Sequence, residues 1–186
     1  MVDVETSGLN ALEDSLIAIG ALAVTDGEVD LADSFEVILR QDAPSAGDNI
    51  EVHGIGGAEQ MGGEDPRAAL RGFLEFIGDD PLVAFHAPFD ALVLRRAVRR
   101  ELGRPFRARW LDLADVAPLA WPGRAAGGLD PWLEALGIPM AYRHRAIVDC
   151  LGTAQLFLAL LAEAPRLGAT SAAGLLALSG GDRWLG

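Results

Sequence analysis

Met1-Val2-Asp3-Val4-Glu5-Thr6-Ser7-Gly8-Leu9 decides how the rest of the chain is read. Two carboxylates stand two residues apart among valines, and a glycine follows at once. A β-strand points residues i and i+2 to the same face. Asp3 and Glu5 are therefore expected on one side, about 6–7 Å apart along the strand, before Ser7-Gly8 turns the chain. Neighbouring carboxylates repel unless one is protonated or a cation bridges them. Hard divalent ions such as Mg²⁺ or Mn²⁺ prefer oxygen ligands of this kind. Read alone, the pair is equally a solvated strand end, and only a matching set of acids further along decides.

Outward from this strand, Leu16 to Val24 is a continuous apolar run that reads as a buried strand. Asp26-Gly27 is a hairpin signal, and the alternation of Phe35, Val37 and Leu39 against Ser34, Glu36 and Ile38 predicts a third strand over Leu31–Leu39. Residues 41–63, rich in Gly, Asp, Ser and Pro, read as a loop with a short helix. Gly54-Ile55-Gly56-Gly57 brushes a phosphate-binding pattern but lacks the preceding strand that pattern needs. Asp65-Pro66 opens a helix as cap and first residue, and Leu70, Phe73, Leu74 and Ile77 give it an apolar face. Leu82–Phe85 and Trp110–Leu113 read as short buried strands, with a helix over Phe89–Leu102 between them. Further helices are expected at Pro131–Leu136, Ala146–Glu163 and Thr170–Leu178. A meander followed by helices alternating with short strands gives an α/β fold in one domain.

The chain has 186 residues, 51% of them hydrophobic, which fits one domain with a sizeable core and argues against disorder. No apolar run approaches the roughly 20 residues that span a membrane, and the N-terminus lacks the layout of a signal peptide. The single cysteine, Cys150, makes no internal disulfide, which fits a reducing cytoplasm. All 15 basic residues are Arg, and residues 1–60 hold 13 acids against Arg40 alone. A net charge of -12 argues against broad, nonspecific nucleic-acid binding. It leaves room for a nucleic-acid enzyme with an acidic, metal-holding site and a local grip. The one dense basic cluster runs from Arg95 to Arg109, and the Arg95, Arg96, Arg99, Arg100 face reads as solvated, with a salt-dependent part in substrate affinity.

Two further acids and a histidine fall where chemistry can use them. Asp90 lies in the first turn of a helix that follows a buried strand. Asp149 lies on an otherwise apolar helix, where a carboxylate is costly unless paired or metal-bound, and His144 precedes it by five residues. Asp3-Val4-Glu5-Thr6-Ser7-Gly8-Leu9, His86-Ala87-Pro88-Phe89-Asp90 and His144-Arg145-Ala146-Ile147-Val148-Asp149 resemble, in order, the three motifs of the DEDDh 3′–5′ exonucleases. That family includes the proofreading epsilon subunit of bacterial DNA polymerase III.

The resemblance implies a ribonuclease H-like fold, a mixed five-stranded sheet flanked by helices. It implies an exonuclease domain over residues 1–165, with residues 166–186 a C-terminal helix and tail packed on it or extending from it. It implies that Asp3, Glu5 and Asp149 hold one divalent ion, Mg²⁺ or Mn²⁺, that Asp3 bridges to a second, and that Asp90 assists through bound water. Two such ions about 3.5–4 Å apart clamp an in-line displacement at phosphorus. His144 is the implied general base, its ordinary pKa near 6.5 suiting work at neutral pH. Thr6, Ser7 and Leu9 are implied contacts to the terminal nucleotide, and His86 and Phe89 line the same pocket. The partner is then the 3′ end of a nucleic acid, single-stranded by preference, with nucleoside 5′-monophosphates as products and a polymerase or a second copy as optional company. The same chemistry on small RNA, and an idle exonuclease-fold binding module, are the alternatives. His53 reads as a structural loop histidine, Cys150 as a packing residue, and Phe85 and Trp110 as core. Only Met1 and Val2 precede Asp3, so either the start is truncated or the central strand is short and its pairing weakened.

Overall fold

A computed structural model describes residues 1–125, 127–140 and 145–180. Strands β1 (Val2–Thr6), β2 (Leu16–Thr25) and β3 (Glu28–Ile38) form an antiparallel meander in that order. The β2–β3 turn places Asp26 and Gly27 both at positive φ, the backbone that suits a two-residue hairpin. Asp3 pairs with Gly20 and Glu5 with Ala18, and Gly20 pairs onward with Glu36. Strand β3 begins at Glu28, three residues before the apolar alternation becomes visible.

Two strands, β4 (Leu82–Ala84) and β5 (Trp110–Asp112), pair parallel to each other in a separate ladder. The five expected strands are present among the described residues, but in two hydrogen-bonded groups of three and two, not in one sheet. The outer edge of β1 explains the gap. Met1 exchanges both of its main-chain bonds with Leu22, and antiparallel alternation then turns the even-numbered amides of β1 away from β2. One of them, Val4 N–H, donates to the side chain of Asp90, so a carboxylate takes the donor that a ladder to a further strand would need.

Helices α1 (Gly47–His53) and α2 (Gly57–Gly62) occupy the segment read as a loop with one short helix. Helix α3 (Pro66–Ile77) starts as expected, with the Asp65 carboxylate accepting from the amides of Arg67 and Ala68. Helix α4 (Ala87–Leu102) joins β4 to β5, and α5 (Leu113–Ala120) was not expected from the sequence. Helices α6 (Leu129–Ala135), α7 (Ala146–Glu163) and α8 (Ala172–Leu178) complete the described chain.

Strand alternation splits the core in two. Val2, Val4, Leu82, Ala84 and Trp110 face α3 and α4, where Leu70, Phe73, Leu94 and Val98 are buried. Val83 and Leu111 face the other way, among Leu113, Val116, Trp132, Leu156, Leu160 and Leu175. Each such fully buried side chain contributes roughly 1.5–3 kcal/mol. By length and composition alone, Ala146–Leu167 is long and apolar enough to cross a membrane, which corrects the reading that no apolar run approaches that length. Here Asp149, Cys150, Thr153 and Ala154 are buried on one face of it, and α7 packs on β1 and β2. Asp3 and Glu5, alternating with the buried valines, point to the α7 side.

Candidate active site

The residues facing Asp3 and Glu5 on β2 are Gly20 and Ala18, the two smallest side chains available. A Cβ at Gly20 would lie 2.4 Å from the carbonyl carbon of Ala146 and from Ile147 N. The first turn of α7 therefore rests directly on the Gly20 backbone. The Cys150 thiol donates to the Gly20 carbonyl at 3.1 Å, and Arg145, the residue before α7, pairs with Glu36 at 3.2 Å across the sheet. Asp149 arrives in this turn, 8% exposed. Carboxylate oxygens of Asp3, Glu5 and Asp149 then lie within 4.8 Å of one another. Three carboxylates so close repel strongly at low dielectric. An all-oxygen set without sulfur or imidazole suits a hard divalent cation, so the residues fit the ion that the sequence pattern implies. Burial, and after it the charge of Asp3, pushes the Cys150 thiol well above its ordinary range, which keeps it a neutral packing group.

Asp90 stands beside this trio and outside it. It is 4% exposed, and its Oδ1 accepts Val4 N–H at 3.1 Å. Burial raises its pKa well above the usual carboxylate range; the bonds from its own amide and from Val4 oppose the rise, while the charges of Asp112 and Glu5 add to it. The turn that delivers Asp90 is unusual. His86 adopts a left-handed conformation at φ 66°, which non-glycine residues rarely take. The Asp112 carboxylate accepts His86 N–H and Ala114 N–H, each at 2.9 Å, and so ties this turn to the start of α5. Asp112 and Gly20 were missed in the sequence. The signals were there: an acid between a buried strand and an Ala-containing segment is a cap, and a glycine inside an apolar strand marks a close approach.

The remaining site residues are distributed as follows. Thr6 donates its hydroxyl to the Gly8 carbonyl at 2.6 Å and Ser7 donates to Asp14 Oδ1 at 3.0 Å, so both hydroxyls shape the loop after β1. Leu9 is 93% exposed at its tip. His86 is exposed with its ring edge-on to Phe85 at 4.9 Å, and Phe89 is half-buried against the α3–α4 core. His144 lies outside the described residues. His53 is buried, its Nδ1 accepting from Ile55 and its Nε2 bonded to Asn49, and Gly54 closes α1 in a left-handed conformation. Both are structural. Arg99 and Arg100 are exposed as expected, whereas Arg96 is half-buried and bonded to main-chain carbonyls, which corrects its reading as part of a solvated face.

Comparison with known proteins gives consistent relatives. The family model described as Exonuclease (RNase_T) matches residues 1–157. The chain is 32% identical over 167 residues to the PolC-type DNA polymerase III of Bacillus subtilis and 28% identical over 170 residues to that of Thermotoga maritima. The alignments cover 89% and 91% of this chain but 12% of each relative, so the chain spans about an eighth of their length. Among solved structures, exonuclease X in complex with 5′ overhanging duplex DNA superposes with a TM-score of 0.75 at 21% identity, over 96% of this chain and 98% of that one. E. coli exonuclease I in complex with a dT13 oligonucleotide superposes at 0.76 and 21% identity, over 90% of this chain and 41% of that one.

Proposed function

The chain belongs to the exonuclease family whose model it matches over residues 1–157, and from that premise we propose that it removes nucleoside 5′-monophosphates from the 3′ end of single-stranded DNA. The observation that carries this reading is the meeting of Asp3, Glu5 and Asp149 within 4.8 Å, from positions up to 146 residues apart in sequence. In this reading Asp3, Glu5 and Asp149 would hold the divalent ions, Mg²⁺ or Mn²⁺, and Asp90 would orient water beside them. When bound, the ions supply the charge that lowers the pKa of a water and steadies the leaving oxygen.

Proton removal from the attacking water and the grip on the terminal nucleotide have residues assigned to them. His144 takes the proton of the attacking water as the oxygen–phosphorus bond forms. The bond from phosphorus to the 3′ oxygen of the penultimate nucleotide then breaks, and that oxygen leaves with a proton from solvent. Leu9 lies against the terminal base, main-chain groups of Thr6 and Ser7 lie along its sugar, and His86 and Phe89 wall the pocket. The DNA polymerases similar to this chain match it over only 12% of their own length, and association with a polymerase is part of the proposal. A lone, buried cysteine is compatible with the cytoplasm as its place of work.

The test is digestion of 5′-labelled DNA and RNA oligomers of several lengths with Mn²⁺, with Mg²⁺ and with EDTA. Stepwise shortening of DNA from the 3′ end that stops in EDTA supports the reading. Preference for short RNA would move the substrate, and absence of metal-dependent shortening by pure protein would turn the chain into a binding module.

A further inference from the structure

We propose that Arg96 is a positioning residue that clamps the Leu9 loop, so that α4 sets the distance between the metal-binding carboxylates and the apolar contact for the terminal nucleotide. The inference rests on the exonuclease reading for its consequence, and on geometry alone for the clamp. Arg96 reaches from α4 to the loop after β1, where its Nη1 donates to the carbonyls of Ala11 and Asp14. Six residues earlier on the same helix, about 9 Å along its axis, Asp90 accepts Val4 N–H. One helix thus grips the catalytic strand at one point and the loop that follows it at another.

The loop needs such a grip. Its internal bonds are local: Asp14 accepts from Ser7 Oγ and from Asn10 N, and Asn10 Oδ1 accepts from Leu12 N at 3.0 Å. The Asp14 carboxylate lies so close over Gly8 that a Cβ there would sit 2.6 Å from Oδ2. Asp14 is therefore the hub inside the loop, and its own carbonyl is one of the two that Arg96 holds from outside. Only Ala11 packs back on the core, while Leu9 and Leu12 stand 93% and 68% exposed. An exposed leucine can meet a base at low entropic cost only if the backbone beneath it is already ordered. Nη1 is committed to two carbonyls, and in this proposal Arg96 acts on substrate through Leu9 and not through phosphate.

The experiment compares Arg96→Ala, Arg96→Lys, Leu9→Ala and the Arg96→Ala/Leu9→Ala double variant in steady-state digestion of a labelled single strand with Mn²⁺, alongside amide exchange of the loop. For Arg96→Ala we expect KM to rise about tenfold with kcat within about twofold, and an unchanged dependence of affinity on salt. Arg96→Lys should recover most of the loss, and Arg96→Ala should add less than about twofold in the Leu9→Ala background. Amides of Asn10, Leu12 and Asp14 should exchange faster in Arg96→Ala whether or not the protein cuts DNA. A fall in kcat at constant KM, a salt slope reduced by about one, or independent effects of the two substitutions would overturn the clamp. Unchanged amide exchange would overturn it too. If wild type does not cut while the loop amides respond, the exonuclease reading fails and the clamp stands. Should Arg96→Ala fail to fold, Arg96→Gln carries the same cycle.

Discussion

The Val4 amide donates to Asp90 Oδ1 at 3.1 Å, across 86 residues of chain. That bond fixes the start of α4 to the middle of the strand bearing Asp3 and Glu5, and it interrupts the sheet at the same point. Asp90 is held by the fold before any ligand arrives.

Removing the acceptor and removing the charge should therefore separate. Asp90→Asn keeps an oxygen for Val4 and relieves a buried carboxylate, so its melting temperature should match or exceed wild type at pH 7 while turnover is lost. Asp90→Ala leaves Val4 N–H unsatisfied and should cost about 1–3 kcal/mol. Denaturant unfolding of the two variants measures the difference, and equal destabilisation by both would refute the role of the hydrogen bond.

Gly20→Ala tests the close approach of α7. Its new Cβ has no room beside Ala146 and Ile147, so α7 must lift and carry Asp149 away from Asp3. Overpacking of this kind costs about 1–3 kcal/mol. We expect Mn²⁺ affinity, read by calorimetry, to fall with it. Native affinity in a folded Gly20→Ala protein would show that the approach does not set the ligand distance.

Metal binding should stabilise the fold through the three clustered carboxylates. At Mn²⁺ concentrations 100-fold above Kd, the gain is about 2.7 kcal/mol. Thermal melts with Mn²⁺ and with EDTA should differ accordingly in wild type and coincide in Asp3→Asn. A full Mn²⁺ shift in that variant would remove Asp3 from the ligand set.

The pH dependence of stability should carry a mark of Asp112. Burial raises its pKa from the ordinary 3.8, so the folded state binds its proton more tightly than the unfolded chain does. Its contribution is fully present below pH 3.8 and is lost as pH rises through the folded-state value. Asp112→Asn keeps an acceptor for His86 and Ala114 and has no proton to lose. Its stability relative to wild type should grow as pH rises from 3.8 toward neutrality; a constant difference would contradict the shift.

His144→Ala should lower turnover by about 10²–10⁴-fold with Mn²⁺ affinity retained. A variant with near-wild-type turnover would pass the role of base to another group.

Much of this was legible in the chain because it is written locally. Asp3 and Glu5 share a face through strand periodicity alone, and Asp65-Pro66 marks the start of α3 by cap chemistry. Helix α5 was hidden by Pro118, six residues into it, where proline normally argues against a helix. Helices α1 and α2 are too short to show periodicity. What holds them is tertiary: the buried Gln60 side chain donates to the Ile55 carbonyl and Ser45 hydroxyl and accepts from Ser45 N–H. The clamp by Arg96 was illegible for the same reason, since its acceptors are carbonyls more than 80 residues away. An arginine in a run of arginines looks solvated until the fold shows what it touches.

The proposed ligand set has a consequence for the order of events during folding. Two of its members lie on one five-residue strand, and the third lies on a helix that begins 140 residues after that strand ends and rests on Gly20. A divalent ion captured by all three would therefore act as a clock for that last docking, and the appearance of tight binding after dilution from denaturant would time the moment the molecule closes.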